Sequence, residues 1–258
     1  MVDCSTKRLL RRLAARYETA DFLNGDPSWF MHQVEGDANR EAMAFVASCL
    51  SFGSRRQFLP KIQCLLDSAD GDVDGWIRRG GFKRKFACGC SDCFYRFFTH
   101  GNMHGFLCAY RILLDEYGTL GEYVKREAAG DGRAAVEAIC RYFASAGVDA
   151  VIPKSAQSAC KRVCMFLRWM VRSGSPVDLG LWADSIDRRT LVMPLDTHVI
   201  QQSVRLGLMQ SATSSMSAAR RLTDVLGEVF PDDPLKGDFA LFGYGVNAKS
   251  RSALDNDR

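Results

Sequence analysis

Apolar residues return along most of this chain every three or four positions, and few stretches alternate as a half-buried strand would. A period near 3.6 marks helices with one buried face. Glu41–Leu50 (EAMAFVASCL) is predicted helical, with Asp37 as its cap and Gly53 as the stop beyond it. His104–Tyr117 and Arg133–Ala144 read the same way. The sharpest pattern is Ala159–Arg172, ACKRVCMFLRWMVR. There Val163, Phe166, Leu167, Met170 and Val171 form one apolar stripe, while Lys161, Met165, Arg168 and Arg172 form a second. One face of this helix packs and another presents cations. Ahead of it, VDAVIPKSAQS carries a proline and small residues, as a turn between two helices would.

A further helix is predicted to begin at Asp196. Pro194 disfavours helix at Met193, and the Asp196 carboxylate can accept the first backbone N–H groups. Val199, Ile200, Val204 and Leu208 supply its buried stripe, and Gly207 stands near its end. Ala69–Cys93, rich in Gly, Asp, Arg and Cys, is expected to be loops around one short helix. The polar tail Lys249–Arg258 is expected to fray. With 7 prolines and no repeat or low-complexity linker, the fold class is all-α. At 258 residues the chain suits one large unit or two joined lobes.

Composition adds little at first: 47% hydrophobic and 25% charged residues are ordinary for a globular protein. No apolar run approaches the length of a membrane span. The start, MVDCSTKRLLRRLAARYETA, lacks an apolar signal core, so a cytoplasmic protein with no membrane partner is expected. Its 10 cysteines are then expected to be reduced thiols. The net charge of +4 is mild but unevenly spread. Lys154, Lys161, Arg162, Arg168 and Arg172 share a stretch with no acidic residue, and smaller clusters lie at Lys7–Arg16, Arg55–Arg56 and Arg78–Lys85. Lys154, Arg162, Arg168, Arg172, Arg55 and Arg56 are therefore candidate nucleic-acid contacts. Arg168 and Arg172 could equally pair with Asp178, Asp184 or Asp187. Trp169 and Trp182 read as core, and His198 as a polar first-turn residue. CGCSDC at Cys88–Cys93, with His100 and His104 downstream, offers zinc-type ligands. A single pair in irregular company is weak support, so no metal and no cofactor is expected.

A turn, a basic helix and then a proline-led Asp-Thr-His opening a helix resemble the core of the helix-hairpin-helix DNA glycosylase superfamily. The strings KRVCMFLRWMVR (Lys161–Arg172), VDLGLW (Val177–Trp182), PLDTH (Pro194–His198) and DPLKGDFALFGYG (Asp233–Gly245) look like those of one bacterial branch, filed as domain of unknown function 2400. LAARYETADF (Leu13–Phe22) and FYRFF (Phe94–Phe98) fit it too. The resemblance implies a two-lobed, glycosylase-like all-α fold. A central helical lobe would span 39–150, and a hairpin and C-terminal lobe 151–258, packed with the N-terminal helix 1–38. It implies that Lys161 stands where bifunctional glycosylases carry their amine nucleophile, and Asp196 where they carry the catalytic carboxylate. The two are 35 residues apart, more like archaeal 8-oxoguanine glycosylases than endonuclease III-like members.

The implied activity is DNA base excision with a lyase step, on oxidised purines of the 8-oxoguanine kind. The implied partner is double-stranded DNA with one nucleotide swung out. The attacking amine must be neutral, and Arg168 on the same face would favour that form. Two departures stand. VIPKSAQSAC has no glycine for the Gly-x-Gly turn usual in that superfamily, and no cysteine follows Cys164, so the iron–sulfur cluster of endonuclease III-like members is not expected. The alternative is a helical module that holds DNA or RNA without cutting it.

Overall fold

A computed structural model of the chain describes residues 1–255, with side chains through Val246; the expected frayed tail Lys249–Arg258 falls outside the residues described in full. The described residues are mostly helical. In chain order come α1 (Cys4–Tyr17), α2 (Asp37–Leu50), α3 (Arg55–Ser68) and α4 (Val73–Arg78). A two-stranded antiparallel hairpin follows, β1 (Cys93–Tyr95) and β2 (Phe98–Thr99). Then come α5 (His100–Tyr117), α6 (Leu120–Ala128), α7 (Gly132–Ser145) and α8 (Lys161–Val171). The last are α9 (Thr197–Arg205), α10 (Met216–Gly227) and α11 (Lys236–Asp255). Among these residues no helix is long and apolar enough to cross a membrane.

α2 is apolar on nearly all sides, and its residues from Glu41 to Leu50 are buried. A helix of that kind belongs at the centre of a core. Phe45 shows why: its ring lies 4.9 Å from Tyr110, 5.4 Å from Phe143 and 5.0 Å from Phe166, so α5, α7 and α8 converge on it. Such ring pairs add about 0.5–1.5 kcal/mol each beyond the area they bury. One apolar cluster continues from Leu10 on α1 to Leu241 on α11.

The cap expected at Asp37 is displaced by one residue. Gly36, at φ 81°, takes the N-cap position and Asp37 sits inside the first turn, where its charge still favours the helix dipole. Ala69–Cys93 holds α4 and a further 3-10 turn at Gly81–Arg84 rather than one helix alone. FYRFF forms the hairpin, a strand pairing too short for periodicity to show.

The first and last helices pack together. α1 lies along α11, and Arg11 donates to the carbonyl of Val229. Gly243 permits this contact, because a Cβ there would stand 2.5 Å from the Tyr17 ring. Gly245 does the same on the next face, where a Cβ would come within 2.9 Å of the His198 Cβ on α9. Close approach of α11 to both neighbours thus rests on missing side chains.

Candidate active site

The connection from α7 to α8 is irregular and ends at Cys160, which holds φ 45° and ψ 36°. That is the left-handed region, where glycine is at home and other residues are strained. Immediately before Lys161, a buried cysteine adopts this conformation. Its Sγ lies 3.8 Å from that of Cys140. Lys161 follows as the first residue of α8. Across from it, Pro194 and Leu195 are buried, and Asp196 is the N-cap of α9, where one carboxylate oxygen accepts the His198 N–H at 2.8 Å.

These two helix starts bring Lys161 and Asp196 together, with Nζ donating to the second carboxylate oxygen at 2.8 Å. Both side chains keep some access to solvent, 32% for Lys161 and 20% for Asp196. Burial pushes the Asp196 carboxyl upward, but the Lys161 charge and hydrogen bond and the His198 N–H pull it below the usual aspartate range. The carboxylate is held ionised.

The pair lines a cavity of about 310 Å³. Phe22, Phe58, Met165 and Phe242 give it apolar walls; Asp26, Arg55, His198 and Asp238 give it polar ones. Arg55 donates to Asp26 at 3.2 Å and lies 5.2 Å over the Phe242 ring. Asp238 is buried beside Arg168, which donates to it. Burial lifts the Asp238 carboxyl to about 6 against the pull of Arg168. An apolar cleft with a few converging polar groups is the usual form of a small-ligand site.

The cations expected to meet a nucleic acid divide. Arg55 stands at the cavity and Arg56 beside it is exposed. Lys154 is exposed and paired with Asp149 at 2.6 Å. The expectation for Arg168 and Arg172 is corrected, since both are buried in a network of carboxylates. Arg168 Nε donates to Asp178 at 3.2 Å; Arg172 donates to Asp178, to Asp233 at 2.8–3.0 Å and to Glu18 at 2.6 Å. Buried arginines remain buried only when so paired. Of the three expected partners, Asp178 pairs with both arginines, whereas Asp187 pairs with Arg189 instead and Asp184 is not among their ion pairs. Neutralised in this way, Arg168 no longer acts on Lys161 as a free cation. Arg162 is corrected too: it turns inward, donates to the Cys49 carbonyl and stacks over Phe52 and Phe98.

Trp169 and Trp182 are buried in the core, and the Trp182 indole donates to Glu41 at 2.9 Å. His100 and His104 contact the carbonyls of Lys85 and Phe86, and the Cys93 thiol donates to the Arg96 carbonyl at 3.0 Å. Among the described residues no three His, Cys, Asp or Glu side chains gather as metal ligands.

Phe22, Asp26, Phe58, Phe242 and Asp238 were not anticipated as lining residues. Phe22, Asp238 and Phe242 do fall within the family-like strings, which was the one signal for them.

The chain matches, over residues 26–247, the family described as protein of unknown function (DUF2400), and it belongs to that family. No curated protein and no solved structure matches it.

Proposed function

We propose that this DUF2400 protein excises a damaged base from DNA and cuts the strand by a lyase step, on a two-lobed scaffold of the helix-hairpin-helix glycosylase kind. The observation that carries this reading is the Lys161 amine 2.8 Å from the Asp196 carboxylate at a cavity of base-accommodating size. A flipped nucleotide needs such a pocket, since its target atoms are unreachable within the duplex.

Asp196 takes one proton from the Lys161 ammonium, freeing the nitrogen to attack C1′ of the sugar. The C1′–base bond breaks, its electron pair leaves with the base, and the base takes the proton back from Asp196. The ring C1′–O4′ bond then opens. A second amine proton passes to O4′, and a protonated Schiff base remains. Asp196, ionised again, takes a C2′ proton. The electron pair of that C–H bond forms the new double bond as the 3′ C–O bond breaks, and the phosphate leaves with its electrons. An ionised Asp196 also offsets the positive charge that develops on the sugar. Phe22, Phe58 and Phe242 would hold the base by its faces. Oxidised purines of the 8-oxoguanine kind are the proposed substrates, and Arg55, Arg56 and Lys154 are the proposed phosphate contacts.

Borohydride reduces the Schiff base to a permanent cross-link, which gives the test. Wild-type protein with duplexes carrying 8-oxoguanine or an abasic site should yield a covalent adduct. Lys161→Gln should abolish it, and Asp196→Asn should lower its rate about 100-fold or more. A passive binding module would give no adduct, and its salt-dependent affinity would be unchanged in both variants. That result would replace the enzymatic reading.

A further inference from the structure

Beside the cavity stands a feature that the chemistry at Lys161 and Asp196 leaves unused. The hairpin turns at Arg96–Phe97, between Tyr95 and its register partner Phe98. Arg96 holds φ 54°, and its guanidinium lies back over the Phe52 ring, 5.9 Å from the centroid. Phe97 is 61% exposed, although every other phenylalanine of the hairpin is buried. A single exposed ring is ordinary on a protein surface. This one is braced. Its ring lies 5.0 Å from Phe52 and 4.9 Å from Phe98, and the Tyr95 hydroxyl donates to the Phe52 carbonyl. Phe52 is flanked in sequence by Ser51 and Gly53, which line the cavity. Behind it lies the Arg162 guanidinium, 5.0 Å from the ring, on the residue next to Lys161. Gly53 is itself shaped for the hairpin: a Cβ there would meet the Arg96 guanidinium at 2.7 Å.

The charge around the tip suits a polyanion. Arg96 and Arg56 are exposed, and neither has an ion pair among the described residues. Arg55 and Arg56 open α3 directly after the cavity wall.

We propose that Phe97 is the wedge that enters double-stranded DNA beside the Lys161–Asp196 cavity, and that Arg96 meets the flanking backbone. The ring fills the gap left by the swung-out nucleotide and stacks on its former neighbours. Apolar side chains inserted between base steps stabilise such openings, and every base offers a face to stack on. Phe97 is therefore a positioning residue: it touches the duplex, not the reacting atoms. The inference rests on the base-excision reading and deepens it by naming the residue that holds the duplex open.

The test compares one abasic oligonucleotide as a duplex and as a single strand, with borohydride trapping as the readout. A single strand has no stack to open. Phe97→Ala should lower duplex trapping by roughly 10-fold or more while leaving single-strand trapping unchanged, because one base–aromatic stack is lost. Phe97→Trp should restore it. With 2-aminopurine opposite the abasic site, wild-type protein should change the fluorescence and Phe97→Ala should not. Intact single-strand trapping in the variant shows that it has folded. A duplex-to-single-strand ratio equal to that of the wild type would overturn the wedge and leave the base-excision reading standing. A wild-type protein that traps neither substrate would overturn both.

Discussion

Asp196 uses one oxygen to cap α9 and the other to hold the Lys161 amine, both at 2.8 Å. Asp196→Asn separates the two roles. Asparagine caps a helix as well as aspartate does, but its amide nitrogen would face the ammonium. The helix should persist and the protein should lose about 1 kcal/mol at neutral pH, the worth of one partly exposed ion pair. The sign with pH follows from the direction of the shift. A carboxyl held below its ordinary 3.8 stabilises the fold above that value and loses the contribution as pH falls through its folded value. Urea unfolding of both proteins should thus show the full gap at pH 7 and convergence toward pH 3. The acid limb of any activity that needs ionised Asp196 should likewise lie below the ordinary aspartate range. The cap and the apolar stripes of α8 and α9 are local, so the sequence displays them. The partners of Arg168 lie 10 and 70 residues away, and side chains held by distant partners leave no periodic trace.

Among the elements, α6 begins in an arrangement that propensity alone does not predict. Thr119 caps it, yet the N–H groups of Leu120 and Gly121 reach across to Glu41 on α2, at 2.8 and 3.1 Å. Burial lifts the Glu41 carboxyl to about 7, against the pull of Trp182 and these two donors. The native state then keeps a proton between about 4.5 and about 7 that the unfolded chain has released. Stability should therefore fall as pH rises through that window and level off above it. Denaturant midpoints of the wild type should report up to about 3 kcal/mol less stability at pH 8 than near pH 5. A flat wild-type profile would sink the claim. Most helices could be read from the sequence because each buries a stripe with its own period. The β1–β2 hairpin could not, since five paired or turning aromatic and basic residues fit a helix as well as a strand.

At the scale of the molecule, the buried charges tie together segments that are far apart. Glu18 lies just after α1, Arg168 and Arg172 on and after α8, Asp178 in the following loop, and Asp233 and Asp238 before and within α11. Asp178 sits between both guanidiniums with none of its side chain exposed. Removing it leaves two buried cations short of a partner, so Asp178→Ala should cost about 3–5 kcal/mol in chemical denaturation. Replacing a solvated aspartate such as Asp37 should cost far less.

The glycines of α11 carry one more implication. Gly237, Gly243 and Gly245 each weaken a helix by about 1 kcal/mol relative to alanine, so this segment has little reason to coil unaided. It is clasped instead, by α1 on one flank and α9 on another. The wall that bears Asp238 and Phe242 is thus an assembly product, and a nascent chain owns no pocket until its first helix has found its last.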